Sequence, residues 1–144
     1  MNISDAQRKK QQKEVAHEQK AIFDLLIQAI QSGDKELFYS CLHGDEGLAH
    51  CKSSDGKQPL LVACEFSQLE IVKCLIEQSN CDVNSVCLLT NYTPVMFAAQ
   101  NADQDMMAYL IEKGADLQHV SVCGRNAFKI LSDSRLNPVV AEWL

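Results

Sequence analysis

The chain has 144 residues, which is the length of one compact domain and leaves no room within these residues for a two-domain enzyme. Apolar residues make up 47% of it and charged residues 22%, a composition typical of a soluble folded domain rather than a disordered or low-complexity chain. The net charge of −6 at pH 7 argues against a nucleic-acid-binding surface over the whole body and favours a protein partner with a basic surface.

Residues 1–20 form a polar, basic lead-in that we expect to be an exposed helix or disordered. They contain five Lys or Arg and three Asp or Glu, whereas the rest of the chain is net negative. Such charge runs are usually solvated; the alternatives are contact with an acidic partner or a weak nuclear-targeting patch. Neither a signal-peptide core nor an apolar run long enough to span a membrane occurs, so we expect a cytoplasmic chain, with the nucleus as the alternative.

The seven cysteines are expected to be reduced, because their number is odd and no signal peptide precedes them. The nearest approach to a metal-binding set is Cys41, His43, His50 and Cys51, whose spacing matches no structural zinc pattern. We therefore expect neither metal nor cofactor, and predict that cysteines such as Cys41, Cys64 and Cys74 act as small core residues.

From residue 21 onward the chain repeats itself. Residues 58–64 align with 93–99, and residues 69–77 align with 104–112, both at a shift of 35 residues. A weaker copy follows the second of these and a degenerate copy precedes the first. The approximate units are 21–52, 53–84, 85–119 and 120–144.

Each unit predicts a pair of helices. Thr93 is expected to cap the first helix of its unit with its hydroxyl, and Pro94 to occupy the first helical position. The first helices carry a stripe of small apolar residues, and the second helices carry a bulkier stripe that must also be buried. In the last unit, residues 138–144 supply the second helix.

These residues resemble the ankyrin repeat, which has a period of roughly 33 residues and the hallmark Thr-Pro-Leu-His-x-Ala. Residues 93–98 keep three of the five specified positions, and residues 112–116 (EKGAD) match the end of the repeat. The resemblance implies an all-α solenoid of about four stacked helix-turn-helix repeats, with short β-turn fingers between them. Gly56, Asn91 and Gly124 hold the finger position that needs a positive φ.

The sequence departs from the family at the motif histidine, which is replaced by Leu61, Met96 and Lys129. We therefore expect the polar network of that histidine to be absent and the stack to be somewhat less stable. No phosphate-binding loop, dinucleotide-binding glycine motif, zinc protease motif or nucleophile elbow occurs, so we predict that the chain is not an enzyme.

The resemblance implies that the fingers and the exposed ends of the first helices bind a protein partner. The finger positions include Ser54, Leu89, Val122 and Cys123, and the candidate partner-binding residues are Asp55, Lys57, Glu65, Phe66, Thr90, Tyr92, Gln100, Asn101, Arg125 and Asp133. Tyr92 and Arg125 are the strongest candidates, since Tyr and Arg are enriched in binding hot spots. Two structural alternatives stay open: Phe66 folds over its own helix end, and Tyr92 packs on the next finger.

The predicted function is that of a non-catalytic adaptor, scaffold or inhibitor that is monomeric by itself and binds neither nucleic acid nor membrane. The alternative is a regulatory or targeting module at the N-terminus of a longer enzyme or zinc-domain protein, because the last apolar stripe runs to Leu144 without a polar cap. A thiol- or metal-dependent enzyme is the third hypothesis.

Overall fold

The computed structural model describes residues 4–134, and among these residues it contains seven α-helices and no strand. The second helix predicted for the last unit, at 138–144, lies outside the described residues. The helices are α1 (Asp5–Ser32), α2 (Lys35–Gly44), α3 (Pro59–Glu65), α4 (Leu69–Glu77), α5 (Pro94–Gln100), α6 (Gln104–Glu112) and α7 (Ala127–Asp133), and a 3₁₀ turn spans Glu46–His50.

The helices stack as pairs along one direction. Helix α1 packs on α2, α3 on α4, and α5 on α6, while the first helices contact one another in the order α1, α3, α5, α7. The first helices therefore form a continuous inner row that joins the repeats. This arrangement confirms the predicted all-α solenoid of about four repeats. We number the repeats 1 (21–52), 2 (53–84), 3 (85–119) and 4 (120–144).

The inner row is buried more completely than a single apolar stripe predicts. All residues of 59–64 and of 94–99 are buried, because α3 lies between α1, α4 and α5, and α5 lies between α3, α6 and α7. Apolar side chains on every face, with alanines at 63, 98 and 99, allow this close stacking. Five of the seven cysteines are buried as well, and burial raises the pKa of the Cys81 thiol to about 11.

Thr93 begins α5 as predicted, but its hydroxyl does not cap the helix. Pro94 occupies the first helical position, and no side-chain capping bond is present at Thr93. The hydroxyl oxygen is buried and has no hydrogen-bond partner among residues 4–134. The motif histidine is replaced by Met96, which is fully buried and offers no donor or acceptor of comparable strength. The prediction of a hydroxyl cap was therefore wrong.

Replacing Thr93 with Val is expected to raise the free energy of unfolding by about 1 kcal/mol, because it removes a buried hydroxyl whose desolvation nothing offsets. Chemical denaturation followed by circular dichroism measures the change. Thr90→Val is the matched control and should lose stability, since the Thr90 hydroxyl accepts a bond from the Tyr92 backbone N–H at 3.3 Å. A loss of stability in Thr93→Val would show that the Thr93 hydroxyl has a partner in solution.

Helix α1 runs unbroken across residue 20, so no break in structure marks the end of the predicted lead-in. It begins with a capping box in which Ser4 and Gln7 satisfy each other's backbone N–H groups. Residues 4–22 are all exposed, and burial starts at Phe23. The domain division at residue 20 stays a prediction. No helix in the described part of the chain combines the length and apolar character that a membrane crossing needs.

Candidate functional site

Three fingers connect the helix pairs, and each is a tight turn closed by a backbone hydrogen bond. The closing bonds join Ser53 N to Lys57 O at 2.8 Å, Cys87 N to Tyr92 O at 2.9 Å, and Ser121 N to Arg125 O at 2.9 Å. We call these turns finger 1 (53–57), finger 2 (87–92) and finger 3 (121–125). Each contains a positive φ, of 77°, 58° and 75° at Gly56, Asn91 and Gly124. The positive φ predicted at these three positions is thereby confirmed.

Neighbouring fingers are hydrogen-bonded side by side. Leu88 N donates to Gly56 O at 3.3 Å, and Val122 N donates to Thr90 O at 3.0 Å. The Asn91 side-chain amide adds a bond to Val120 O at 2.9 Å. These contacts join consecutive fingers through the backbone, so side chains on the three fingers are presented at fixed relative positions.

Lys57 lies at the base of finger 1 and forms an ion pair with Glu65 at the end of α3. Its ammonium nitrogen lies 2.9 Å from a carboxylate oxygen of Glu65 and 3.8 Å from one of Asp55. Burial acts to lower the pKa of Lys57, but the hydrogen bond and charge of Glu65 outweigh it, so the pKa is raised. The Ser53 hydroxyl donates to Asp55 and is the main cause of the lowered pKa of that carboxyl. Two carboxylates therefore face the single positive charge of Lys57.

Arg125 occupies the corresponding place in finger 3. Its guanidinium lies 3.4 Å from a carboxylate oxygen of Asp133, which also faces Lys129 at 3.3 Å. Tyr92 and then Asp133 raise the pKa of Arg125. Tyr92 holds the same position in finger 2, where its counterpart at the end of α5 is the uncharged Gln100. The pairs at 57 and 65, at 92 and 100, and at 125 and 133 thus follow one pattern in three consecutive repeats.

A buried ring connects the first two of these pairs. Phe97 of α5 has its ring centroid 5.2 Å from that of Tyr92, at an interplanar angle of 59°, and 5.5 Å from the Lys57 ammonium. Tyr92 therefore packs on the first helix of its own repeat, and its influence on the pKa of Arg125 leaves packing on the next finger a prediction. The sequence reasoning missed Phe97, although it is the one aromatic residue in a first helix otherwise made of small and aliphatic side chains.

Four large aliphatic side chains are exposed on fingers 2 and 3 and beside them. Their exposed fractions are 64% for Leu88, 67% for Leu89, 48% for Val120 and 68% for Val122. We call these four residues the apolar finger patch. Finger 2 spans six residues where fingers 1 and 3 span five, so it carries one extra residue at its tip. Leu88 and Val120 were not among the predicted positions; two adjacent leucines in a turn were the signal that could have revealed them.

A family profile for ankyrin repeats, in three copies, matches residues 26–121. The chain belongs to the ankyrin-repeat family. This ankyrin match covers more than half of the chain and includes all of fingers 1 and 2.

Three curated ankyrin relatives illustrate the range of similarity. Alpha-latrocrustotoxin-Lt1a of Latrodectus tredecimguttatus is 42% identical over 66 residues, which cover 46% of this chain and 5% of that protein. Dauer abnormal formation protein 25 of Caenorhabditis elegans is 33% identical over 105 residues, which cover 73% of this chain and 26% of that protein. Ankyrin repeat and SAM domain-containing protein 6 of Rattus norvegicus is 26% identical over 106 residues, which cover 74% of this chain and 12% of that protein. The chain therefore spans about a quarter or less of the length of each relative.

Among the other predicted ankyrin-surface residues, Phe66 and Gln100 are exposed. Asn101 has an intramolecular role instead. Its side-chain amide donates to the carbonyls of Cys64 and Glu65 in the preceding repeat, at 3.3 Å for Cys64. These carbonyls lie at the end of α3, where helical carbonyls have no partner in a following turn of the helix, although Ser67 N also donates to Cys64 O at 3.3 Å.

Away from the ankyrin fingers, a cleft of about 400 Å³ lies between α2, the 3₁₀ turn and α4. His43 and His50 line it together with Tyr39 and Glu46. Among residues 4–134, no group of three or more His, Cys, Asp or Glu side chains could hold a metal ion.

Proposed function

We propose that this chain is a non-catalytic module that binds one protein partner through its fingers and the adjoining ends of the first helices. Ankyrin repeats are in general protein-interaction modules, and the chain belongs to that family. The observation that carries the proposal is the pattern of paired positions at 57 and 65, 92 and 100, and 125 and 133. It presents one surface built from three consecutive repeats.

The rigidity of this surface supports the proposal. Backbone hydrogen bonds hold finger 2 to finger 1 and finger 3 to finger 2, and the ion pairs of Lys57 and Arg125 restrain two of the long side chains. A preordered surface loses little conformational entropy when it binds. Within this proposal the chain is monomeric, acts as an adaptor, scaffold or inhibitor, and resides in the cytoplasm or nucleus, where reduced cysteines persist.

The double variant Tyr92→Ala/Arg125→Ala tests the proposal. We expect it to weaken partner binding by about tenfold or more, because it removes two hot-spot residue types from the centre of the surface. The partner is identified by mass spectrometry after capture from a lysate of the source cell, and its affinity is then measured with purified protein. Lys35→Ala/Tyr39→Ala is the matched control, since it removes a basic residue and an exposed tyrosine from α2.

Both double variants are first checked by circular dichroism for an unchanged helix content and unfolding midpoint. Equal binding by the wild type and the finger variant would move the interface away from the fingers. A loss of binding in the α2 variant instead would place it on the second helices.

A second candidate function is supported by the lengths of the relatives. The chain spans 5%, 26% and 12% of the three relatives described above, so related ankyrin units occur within much longer polypeptides. In this case the chain is a regulatory or targeting module of a larger protein. Sequencing the native transcript decides the matter: an open reading frame that continues past Leu144 supports this function, and a stop codon there excludes it.

A further inference from the structure

The apolar finger patch lies on two adjacent fingers that are hydrogen-bonded to each other. Leu88 and Leu89 belong to finger 2, and Val122 belongs to finger 3, whose backbone N–H bonds to Thr90 of finger 2. Val120 is joined to the same finger through the Asn91 amide. Single exposed aliphatic side chains are common on protein surfaces, but a cluster of them marks a surface that a partner covers.

The patch borders a segment without charge. Residues 83–102 contain no Asp, Glu, Lys, Arg or His, and this segment includes all of finger 2 and α5. Charged residues are depleted in the central part of protein interfaces, which is the part that loses its water completely. Finger 2 is the middle finger of the three, so the uncharged segment lies at the centre of the surface.

The basic side chains on the flanking fingers are paired with carboxylates within the chain, two at Lys57 and one at Arg125. Lys57 faces Glu65 and Asp55, and Arg125 faces Asp133, at distances between 2.9 and 3.8 Å. These are the charged residues of fingers 1 and 3 in the described structure. A charged partner group placed over finger 2 would lose its hydration without gaining an opposite charge there, which is unfavourable.

We propose that the apolar finger patch binds an uncharged segment of a partner protein, which places aliphatic or aromatic side chains against Leu88, Leu89 and Val122. The inference rests on the proposed function and specifies the chemistry of its partner. It departs from the expectation of a basic partner, which follows from the net charge of the whole chain and not from the charges of this surface. The partner's charged residues lie outside the contact with finger 2, near the ion pairs of fingers 1 and 3.

A library of short random peptides displayed on phage tests the proposal, with the full chain as the immobilised target. We expect the selected peptides to be rich in Leu, Ile, Val, Met or aromatic residues and to show no excess of Lys or Arg. The affinity of a synthesised selected peptide should change less than about twofold when the ionic strength is raised about tenfold, since salt weakens contacts between exposed charges.

Leu89→Asp and Val122→Asp should each lower the affinity of the chain for that peptide by about tenfold or more. Val15→Asp is the matched control, because Val15 is an aliphatic residue of α1 that is 52% exposed, and it should bind like the wild type. Leu89→Ser is measured beside Leu89→Asp. A loss of binding in both variants shows that the cause is the missing apolar side chain and not the added charge. The side chains of Leu89 and Val122 are two-thirds exposed, and circular dichroism should show all variants folded.

The possible failures are distinguishable. Selected peptides that are basic or acidic, weaken in salt and ignore Leu89→Asp would overturn this inference and leave the proposed function standing. Apolar peptides that bind the Leu89 and Val122 variants with the same affinity as the wild type would also overturn this inference and leave the proposed function standing. A folded chain that selects no peptide at all would overturn both.

Discussion

Gly56→Ala is expected to lower the free energy of unfolding by about 2–4 kcal/mol. Gly56 has a φ of 77°, in the left-handed region where a residue with a Cβ is strained. A methyl group there would also lie 2.7 Å from Cβ of Leu88 and 3.1 Å from its backbone nitrogen. The chain must therefore shift finger 2 away from finger 1, which weakens the bond from Leu88 N to Gly56 O.

Gly124→Ala separates the cost of the backbone strain from the cost of the steric clash with the neighbouring finger. Its φ of 75° is nearly the same, but no heavy atom of residues 4–134 lies within 4 Å of the added carbon. We expect a loss of only about 1–2 kcal/mol, from backbone strain alone. Chemical denaturation of both variants gives the comparison. Equal losses at the two positions would show that the contact between fingers 1 and 2 contributes nothing to stability.

Asn101→Ala is expected to cost about 1–2 kcal/mol, because it removes two hydrogen bonds between repeats 2 and 3. The Asn101 amide reaches the carbonyls of Cys64 and Glu65 at the end of α3. Without it, the Cys64 carbonyl keeps its bond from Ser67 N at 3.3 Å, but α5 loses a polar contact with the preceding helix. Ser134 makes an equivalent bond to Ala99 O at 3.4 Å in the next repeat.

The neighbouring Gln100→Ala is the control for Asn101→Ala, since Gln100 is exposed and a surface substitution of this kind changes stability by less than about 0.5 kcal/mol. Thermal unfolding should show a lower midpoint for Asn101→Ala and an unchanged one for Gln100→Ala. If the two variants unfold alike, the Asn101 bonds seen in the structure do not persist in solution. If partner binding also drops in Asn101→Ala, Asn101 both stabilises the stack of repeats and contributes to the partner-binding surface.

The repeat period and the turn residues predict most of the fold. The 35-residue shift locates α3 against α5 and α4 against α6, and the alignment of Asn91 with Gly56 and Gly124 predicts a positive φ at all three. These features follow from local chemistry, which repeats with the sequence. The environment of the Thr93 hydroxyl could not be predicted in this way, because a side chain that usually caps a helix is instead buried with no hydrogen-bond partner among residues 4–134.

The candidate site is predictable in position but not in detail. Aligning repeats locates the residues at 57, 92 and 125, yet the Lys57–Glu65 and Arg125–Asp133 pairs depend on how a finger folds back over its own helix. The role of Asn101 depends on a helix of the previous repeat, which is distant in sequence. Leu88 is exposed in finger 2, which has one residue more than fingers 1 and 3, so an alignment of the repeats does not show how the side chains of this finger are placed.

Four polar contacts between successive repeats donate in the same direction, although the Asn84 and Asn91 amides donate the other way, to Gly114 O and Val120 O. At the fingers, N–H groups of Leu88 and Val122 donate backward along the chain, and at the helix ends Asn101 and Ser134 donate backward as well. In these four contacts each repeat offers donors to its predecessor and carbonyls to its successor. A repeat from this chain transplanted into another ankyrin array therefore keeps these contacts only if the array supplies acceptors before it and donors after it.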